Sequence, residues 1–303
     1  MGTTGTLQAI SISRPVQQRL EQQGFEGRVL SVHQVACNLI DEDRNVITLL
    51  APSAGDGPFS IVIDSAFDDL SVDDPILADA ARLVVGDMTV SLDGASIWEP
   101  RPDWPRLRMA GEHISRAFVA FDEWAPSAIW GGLAHITGAD QYAEGKPTFM
   151  ARLARGKEAY SHLIVEGLGE GKRDSLMAGA RLLAGLGPGG TPAGDDFLVG
   201  VMAAMWLLGD QADAPAIAGT AAPRTSALSA AFLRAAGRGE FITPWHTLVE
   251  ALASADLAQV EQAAMRMESF GASSGADALD GFILSGRRLM AQYATCQQAE
   301  EPI

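Results

Sequence analysis

The sequence predicts an α+β protein in which a small β-rich N-terminal domain is followed by a larger all-helical C-terminal domain. In the first third, short runs of Val, Ile and Leu alternate with turn-forming segments rich in Gly, Asp, Asn and Pro. The stretch WEPRPDWP (98–105) then interrupts the pattern, and its prolines exclude a regular helix. Beyond it, apolar residues recur with helical periodicity and no strand-like alternation returns. We therefore place the domains at 1–105 and 106–303.

The β-rich region contains several predicted strands, separated by the turn segments DEDRN, PSAGDGP and LDGAS. The acidic segment from Phe67 to Asp79 is expected to be a solvated loop with one helical turn. The strands are expected at Arg28–Ile40, Val46–Leu50, Ser60–Asp64, Arg82–Val85 and Met88–Leu92.

The C-terminal region reads as a succession of helices, several of which begin with a hydroxyl residue suited to capping. They are expected at Arg106–Glu123, Pro147–Leu168, Lys172–Leu186, Thr191–Leu208, Thr225–Ala236, Thr243–Ser254, Asp256–Ser269 and Ser273–Tyr293.

Composition narrows the classes of function. The formal net charge of −16 argues against a nucleic-acid partner, which would favour basic patches. No apolar run is long enough to span a bilayer, so no membrane role is expected. The two cysteines imply no disulfide framework, and the N-terminus lacks the pattern of a secretory signal. We expect a cytoplasmic protein that acts on a small anionic substrate.

The most informative segment is GLGPGGTPAGDDFLVG, residues 185–200. Its glycines permit left-handed backbone and close approach of another group to the main chain. Thr191 followed by Pro192 predicts a helix start with a capping hydroxyl. The helix that follows is apolar nearly all round and must be buried. The turn therefore holds the carboxyls of Asp195 and Asp196 at a fixed point beside free backbone N–H groups.

A related helix start occurs later in the chain. Residues 194–200 have the form G-x-D-x-L-x-G, and residues 275–281 repeat it with Asp277 at the acidic position. Small residues and hydroxyls precede both copies, in the second case Ser273 and Ser274. We expect the two helix starts to converge on one polar site.

Helix N-termini bind phosphate and carboxylate groups through unpaired N–H groups and the positive dipole end. The acids would oppose an anion unless Mg²⁺ lay between them, with Asp195 and Asp196 as its ligands. They could instead accept hydrogen bonds from an amide or ureido group. The predicted catalytic residues are Asp195, Asp196 and Asp277, and the predicted ligand-binding residues are Gly189, Gly190, Thr191, Gly194, Ser273, Ser274, Gly275, Arg224 and His246.

Several other sites are excluded. The glycine turn lacks the lysine of a P-loop and does not follow a clear strand, so neither a P-loop nor a dinucleotide fingerprint is present. The histidines show no metal-ligand spacing.

These segments carry a family resemblance. GLGPGGTPAGDDFLVG resembles the G-x-G-x-G-L-T-P-S-G-D-D-F-L-x-G signature of a bacterial family that includes a subunit of anaerobic oxamate carbamoyltransferase, from allantoin catabolism. GASSGADALDGFIL and TSALSAAFLRAAGRGEF resemble further segments of that family. Gly190 stands where leucine is usual, and Ala193 stands where serine is usual, so a role for that serine cannot be transferred.

The resemblance, clearest over residues 180–290, implies a subunit of a multi-protein transferase. Such an enzyme would move a carbamoyl group between carbamoyl phosphate and oxamate or a related carboxylate, and would stabilise the developing oxyanion. Two alternatives stay open at this point: a non-catalytic ligand-binding or assembly subunit, and a Mg²⁺-dependent phosphotransfer enzyme.

Overall fold

A computed structural model describes residues 6–128, 155–156, 158–209 and 211–300. Its contacts divide the chain into two compact units. The first runs up to Pro102 and also includes Glu240–Thr243, and the second contains the rest of the chain. The predicted domain boundary at residue 105 stays a prediction.

The first unit is built around a sheet of nine described strands. Eight of them close into a ring in the order β1-β5-β4-β3-β2-β6-β7-β8, because β1 pairs antiparallel with β5 and parallel with β8. The ninth strand extends the β8 edge by pairing with the second half of β1. The strands are β1 Leu7–Ser13, β2 Phe25–Val32, β3 Ala36–Asp41, β4 Val46–Leu50, β5 Ser60–Ile63, β6 Pro75–Ala78, β7 Arg82–Val85, β8 Met88–Ser91 and β9 Ser96–Trp98.

One face of the strands β1 to β8 supplies the core of this unit, as the period of two requires. Leu39, Ile47 and Leu49 are among the core side chains. A helix, α1 (Arg14–Gln23), adds Val16 and Leu20, which lie on the same helical face at i and i+4. A short 3₁₀ turn at Pro52–Ala54 precedes β5.

The α+β prediction is confirmed in its main feature, a β-rich region followed by a helical one. Three local predictions are wrong. The expected helix Arg106–Glu123 is two helices, Trp104–Met109 and Gly111–Ala128, and the first of them begins inside the proline-containing segment 98–105. The run Arg28–Ile40 is a hairpin of β2 and β3 instead of one strand. The acidic segment Phe67–Asp79 contains β6, an uncharged apolar run that pairs with β2 and β7, and its Phe67 is buried in the core.

The return segment Glu240–Thr243 is tied to the first unit by backbone hydrogen bonds. The N–H of Phe241 donates to the carbonyl of Pro100 at 2.8 Å, and the N–H of Thr243 donates to that of Asp56 at 3.0 Å. The N–H of Asp56 in turn donates to the Thr243 hydroxyl at 3.0 Å.

The described part of the second unit is helical. Its first two helices are α2 (Trp104–Met109) and α3 (Gly111–Ala128), and a π-type helix covers Ser161–Leu168. The following helices are α4 Arg173–Leu183, α5 Ala193–Leu208, α6 Ala214–Ala221, α7 Ala227–Gly237, α8 Thr243–Ser254, α9 Leu257–Glu268 and α10 Ser274–Glu300, with 3₁₀ turns at Gln211–Asp213 and Ala222–Arg224. The start of the predicted helix Pro147–Leu168 lies outside the described residues.

Helix α5 is buried on nearly every side, as its apolar sequence predicts, and it makes its most extensive contact with α10. In the described part of the chain, no helix has both the length and the apolar character needed to cross a bilayer.

Candidate functional site

The N-terminal ends of three helices in the second unit are joined by hydrogen bonds between side chains and loops. The hydroxyls of Thr191, before α5, and Ser274, at the start of α10, lie 2.9 Å apart. The Ser226 hydroxyl, at the N-cap of α7, donates to the carbonyl of Gly190 and accepts from the N–H of Ser229 at 3.0 Å. The two repeated helix starts therefore lie against each other, as predicted, and their role as a polar binding site stays a prediction. The starts of α5, α7 and α10 together form a three-helix junction.

This arrangement concentrates positive helix ends at one place. Each helix start leaves backbone N–H groups without intrahelical partners and carries the positive end of its dipole. Gly189, Gly190 and Ser273 are exposed at the tips of the adjoining loops. Three positive dipole ends therefore lie together at the three-helix junction, beside the buried carboxyls of Asp195, Asp196 and Asp277.

Thr191 does not cap α5, in contrast to the prediction. The N-cap position is Pro192, which has no capping side chain, and the Thr191 hydroxyl contacts Ser274 instead. The N–H groups of Asp195 and Asp196 donate to the Pro192 carbonyl at 2.8 and 3.2 Å. The Thr191 hydroxyl consequently links the loop before α5 to α10, while the N–H of Gly194 donates to the carbonyl of Leu186 at 2.8 Å and holds the loop to its own helix.

Asp195 is a buried acceptor that joins three segments of the chain. It is 1% exposed and accepts hydrogen bonds from the N–H of Gly185 at 3.0 Å, the Ser229 hydroxyl at 2.8 Å and the Thr225 hydroxyl. Burial raises the pKa of Asp195, and the three donors oppose that rise. These contacts give Asp195 the character of a residue that positions the glycine turn and the start of α7.

Asp196 has a different environment from its neighbour. It is 8% exposed, the Ser274 hydroxyl bonds its carboxyl, and its Oδ2 atom has no hydrogen-bond partner among the described residues. Burial raises the pKa of Asp196 to about 8, the Ser274 bond opposes the rise, and the nearby acids Asp277 and Asp195 add to it. Burial and the two neighbouring acids thus favour the neutral form of the Asp196 carboxyl.

Asp277 occupies the equivalent position in the second copy of the repeat. It is fully buried in the first turn of α10, and its N–H donates to the carbonyl of Ser273 at 2.9 Å. The Asp277 carboxyl raises the pKa of Asp196 across the contact of α5 with α10.

The last glycines of the two repeats explain why these helices approach so closely. A Cβ atom on Gly200 would lie 1.8 Å from the carbonyl oxygen of Ala278. A Cβ atom on Gly281 would lie 2.1 Å from the carbonyl oxygen of Phe197. Each glycine is the seventh residue of its repeat and meets the fourth residue of the other, so the repeats pack in a reciprocal, pseudo-symmetric way. Ala193 takes the position that Ser274 holds in the second copy.

The first glycines of the repeats, Gly194 and Gly275, are buried against their own preceding segments. A Cβ atom would lie 2.2 Å from the carbonyl oxygen of Leu183 in the first case and 1.7 Å from that of Met267 in the second. They shape the two helix starts and are not exposed to a ligand.

Two further predicted binding residues, Arg224 and His246, have surroundings that differ from those of the residues above. The Arg224 guanidinium donates to the carbonyl of Thr220 at 2.6 Å, although its backbone packs on Gly185. His246 is half-buried in the first turn of α8, and its role stays a prediction. A further cation, Arg155, donates to the carbonyl of Ala184 at 3.0 Å and also to that of Leu182, and its charge acts on Asp195.

The described residues do not fit a metal centre. No group of three or more His, Cys, Asp or Glu side chains among them is arranged to hold a metal ion. Asp195 already accepts three hydrogen bonds, which leaves it poorly suited to coordinate Mg²⁺.

Ser229 is a member of this network that sequence reasoning missed. Its hydroxyl lies 1% exposed in the first turn of α7. A signal was present, because Ser229 follows the cap residue Ser226 by three positions and so lies at the helix start. Its acceptor, however, is the carboxyl of Asp195, which lies 34 residues earlier in the chain.

Two protein-family models match the chain, and one of them covers this region. Residues 183–285 match the family model described as oxamate carbamoyltransferase subunit AllH, and residues 8–97 match the AllH family N-terminal domain. Neither a curated protein nor a solved structure matches the chain. The whole three-helix junction, from Gly185 to Asp277, falls within the first of these matches.

Proposed function

Because the chain belongs to the AllH family, we propose that it acts as a subunit of an oxamate carbamoyltransferase-like enzyme, assembled with other subunits in the cytoplasm. The observation that carries the proposal is the convergence of three helix N-termini on one site inside the family-matched region. Helix N-termini and loop N–H groups are suited to bind a carboxylate or a phosphate and to stabilise an oxyanion.

In this proposal the groups of the three-helix junction have separate tasks. Backbone N–H groups at Gly189, Gly190 and Ser273 bind the anionic group of carbamoyl phosphate or of a small carboxylate. Thr191 and Ser274 orient it through their hydroxyls. Asp195 holds the surrounding loops in place, and Asp196 and Asp277 supply buried acidic groups at the floor of the site.

A second candidate is a non-catalytic ligand-binding or assembly subunit. It is favoured by the buried state of all three acids, of which Asp277 is 0% exposed and Asp195 has three protein donors. In this alternative the junction fixes the shape of the subunit, and the reaction takes place on a partner chain.

The test is turnover by the assembled enzyme. The chain is co-expressed with its neighbouring subunits, and phosphate release from carbamoyl phosphate plus oxamate is measured for the parent, Asp196→Asn and Asp277→Asn. Asp256→Asn, at the exposed N-cap of α9, is the matched control. Loss of turnover in the two junction variants, with assembly intact by size-exclusion chromatography, supports the catalytic role.

Loss of association with unchanged turnover per assembled complex supports the assembly role instead. A parent complex that releases no phosphate from these substrates contradicts the proposed function.

A further inference from the structure

We propose that a groove between the π-type helix Ser161–Leu168 and α10 is the docking site for an acidic, apolar segment of another subunit, with an apolar side chain in the groove and a neighbouring carboxylate on Arg288. This inference rests on the assembly with other subunits proposed above and deepens it, because it assigns a contact surface and the chemistry of the partner. None of the residues that line the groove belongs to the three-helix junction.

The groove lies between one side of the π-type helix and one face of α10. Ile164 is 2% exposed and forms its inner wall, whereas Tyr160 and Val165 are each 40% exposed. The residues that α10 contributes are spaced at i, i+3, i+4 and i+7 and therefore share one helical face: Leu284, Arg287, Arg288 and Ala291.

The size of the groove distinguishes between two kinds of occupant. Its volume is about 240 Å³, whereas small-molecule pockets commonly have about 300–1,000 Å³ and enclose most of the ligand. This groove is smaller, and Tyr160 and Val165 leave it exposed to solvent. It therefore suits one side chain of a protein partner better than a free metabolite. Tyrosine and arginine, which both line it, are also enriched among the residues that dominate binding at protein interfaces.

Arg288 has no carboxylate partner in the part of the chain that the structure describes. Its neighbour Arg287, by contrast, pairs with Asp122 at 2.5 Å. The Arg288 guanidinium packs on the backbone of Gly169, where a Cβ atom would lie 2.0 Å from Nε. That Nε is buried and has no hydrogen-bond partner among the described residues. A partly desolvated cation without a counter-ion is unfavourable, and a carboxylate of a partner would remove this cost.

The carbonyl groups beside Arg288 already accept other hydrogen bonds. Those of Leu168 and Gly169, at the end of the π-type helix, accept from Nε2 of Gln292 at 2.6 and 3.0 Å. A carboxylate from outside the chain is a stronger partner for the guanidinium, because the two groups match in charge and in planar geometry.

Charge also distinguishes a different subunit from a second copy of this chain. Two copies that meet groove to groove across a two-fold axis present the same surface to each other. Arg287 and Arg288 would then face their own counterparts, and the described lining of the groove contains no acid to pair with them. Like charges in contact disfavour such an interface, so the groove fits a chain that itself supplies the carboxylate.

The test measures the association of the purified chain with its purified neighbouring subunits by isothermal titration calorimetry. Arg288→Glu reverses the charge in the groove, and Val165→Glu places a carboxylate on its exposed apolar wall. Arg266→Glu on α9 and Val119→Glu on α3 are the matched controls, at exposed positions outside the groove. We expect each groove variant to raise the dissociation constant about tenfold or more, and each control to bind like the parent.

Melting temperatures of the isolated variants check that each of them folds. Because Val165 is exposed, Val165→Glu keeps the test decisive even if Arg288→Glu does not fold. Parent-like association of the folded groove variants, in a complex that turns over, overturns this inference alone. A parent chain that does not associate with its neighbouring subunits overturns this inference and also contradicts the assembly in the proposed function.

Two other occupants are distinguished by the same variants. A homodimer of the parent chain that Val165→Glu dissociates, with association to the neighbouring subunits unchanged, would assign the groove to a second copy. Thermal stabilisation by octanoate of the parent but not of Arg288→Glu, again with that association unchanged, would assign the groove to a small apolar carboxylate. Either result overturns the inference.

Discussion

Asp195 and Asp196 are adjacent in the chain, but their carboxyls differ in the number of hydrogen bonds that they form. Asp195 accepts from three donors on two other segments, whereas Asp196 has one oxygen without a partner among the described residues. The difference follows from helix geometry, because neighbouring residues project about 100° apart. Asp195 therefore faces the glycine turn and α7, and Asp196 faces α10.

The raised pKa of Asp196 predicts a pH-dependent stability. The unfolded chain loses this proton near pH 4, whereas the folded protein keeps it until about pH 8. The folded state binds more protons between these values, so the contribution of Asp196 to the free energy of unfolding falls as pH rises through this window. We expect Asp196→Asn to gain stability relative to the parent from pH 5 to pH 8.

The measurement is urea unfolding of both proteins at several pH values, followed by circular dichroism. Parallel pH profiles for the parent and Asp196→Asn would show that the acid is ionised in the folded protein.

Asp195 is expected to be a strong structural determinant. Asp195→Ala removes the acceptor for the Gly185 N–H and for the Thr225 and Ser229 hydroxyls. Leaving buried donors unmatched lowers the free energy of unfolding by about 3 kcal/mol. Asp256→Ala, which removes an exposed helix cap, is the matched control and costs about 1 kcal/mol. Equal losses of unfolding free energy for the two variants, measured by denaturant unfolding, would contradict the role of Asp195 in positioning the glycine turn and the start of α7.

At the level of elements, the contact between α5 and α10 depends on two glycines. The carbonyl groups that face Gly200 and Gly281 belong to helix backbone and cannot move aside without separating the helices. The recurrence of G-x-D-x-L-x-G thus has a packing cause as well as a proposed functional one.

Gly200→Ala is expected to lower the free energy of unfolding by about 3 kcal/mol, because its methyl group would overlap the Ala278 carbonyl. Gly219→Ala is the matched control, since Gly219 lies in α6 with no atom near its Cβ position. It should stabilise the protein slightly through helix propensity. A melting temperature for Gly200→Ala equal to that of the control would refute the close-packing account.

The elements that the sequence failed to predict share a cause. Helix α1 buries only Val16 and Leu20 and is otherwise polar, so its apolar period is weak. Strand β6 has only four residues, all of them apolar, of which Ile76 and Ala78 are buried and Pro75 and Leu77 are exposed, so the residue types show no period of two. The helices of the second unit were easier to predict, because caps and long apolar faces mark them. Helix α8 spans Thr243–Ser254, as predicted.

The candidate site could be predicted in part for a related reason. Local sequence marks helix starts, so the repeated starts at Thr191 and Ser274 were recognisable. Partners across the fold were not, because the contacts of Asp195 with Thr225 and of Thr191 with Ser274 join residues 30 and 83 positions apart. The predicted capping role of Thr191 failed for this reason.

At the scale of the whole molecule, the chain is not divided at a single point. Segment Glu240–Thr243 joins the first unit, and its hydrogen bonds to Pro100 and Asp56 connect residues far apart in sequence. The local sequence cannot show that a short segment belongs to an earlier unit, because such a segment resembles any other connecting loop. The three-helix junction is formed entirely by residues of the second unit.

The most direct test of the account is a crystal structure of the assembled enzyme soaked with oxamate. The account predicts oxamate at the three-helix junction, in contact with the exposed loops that carry Gly189, Gly190 and Ser273. Oxamate bound at another place, with the Thr191–Ser274 contact unchanged, would contradict it.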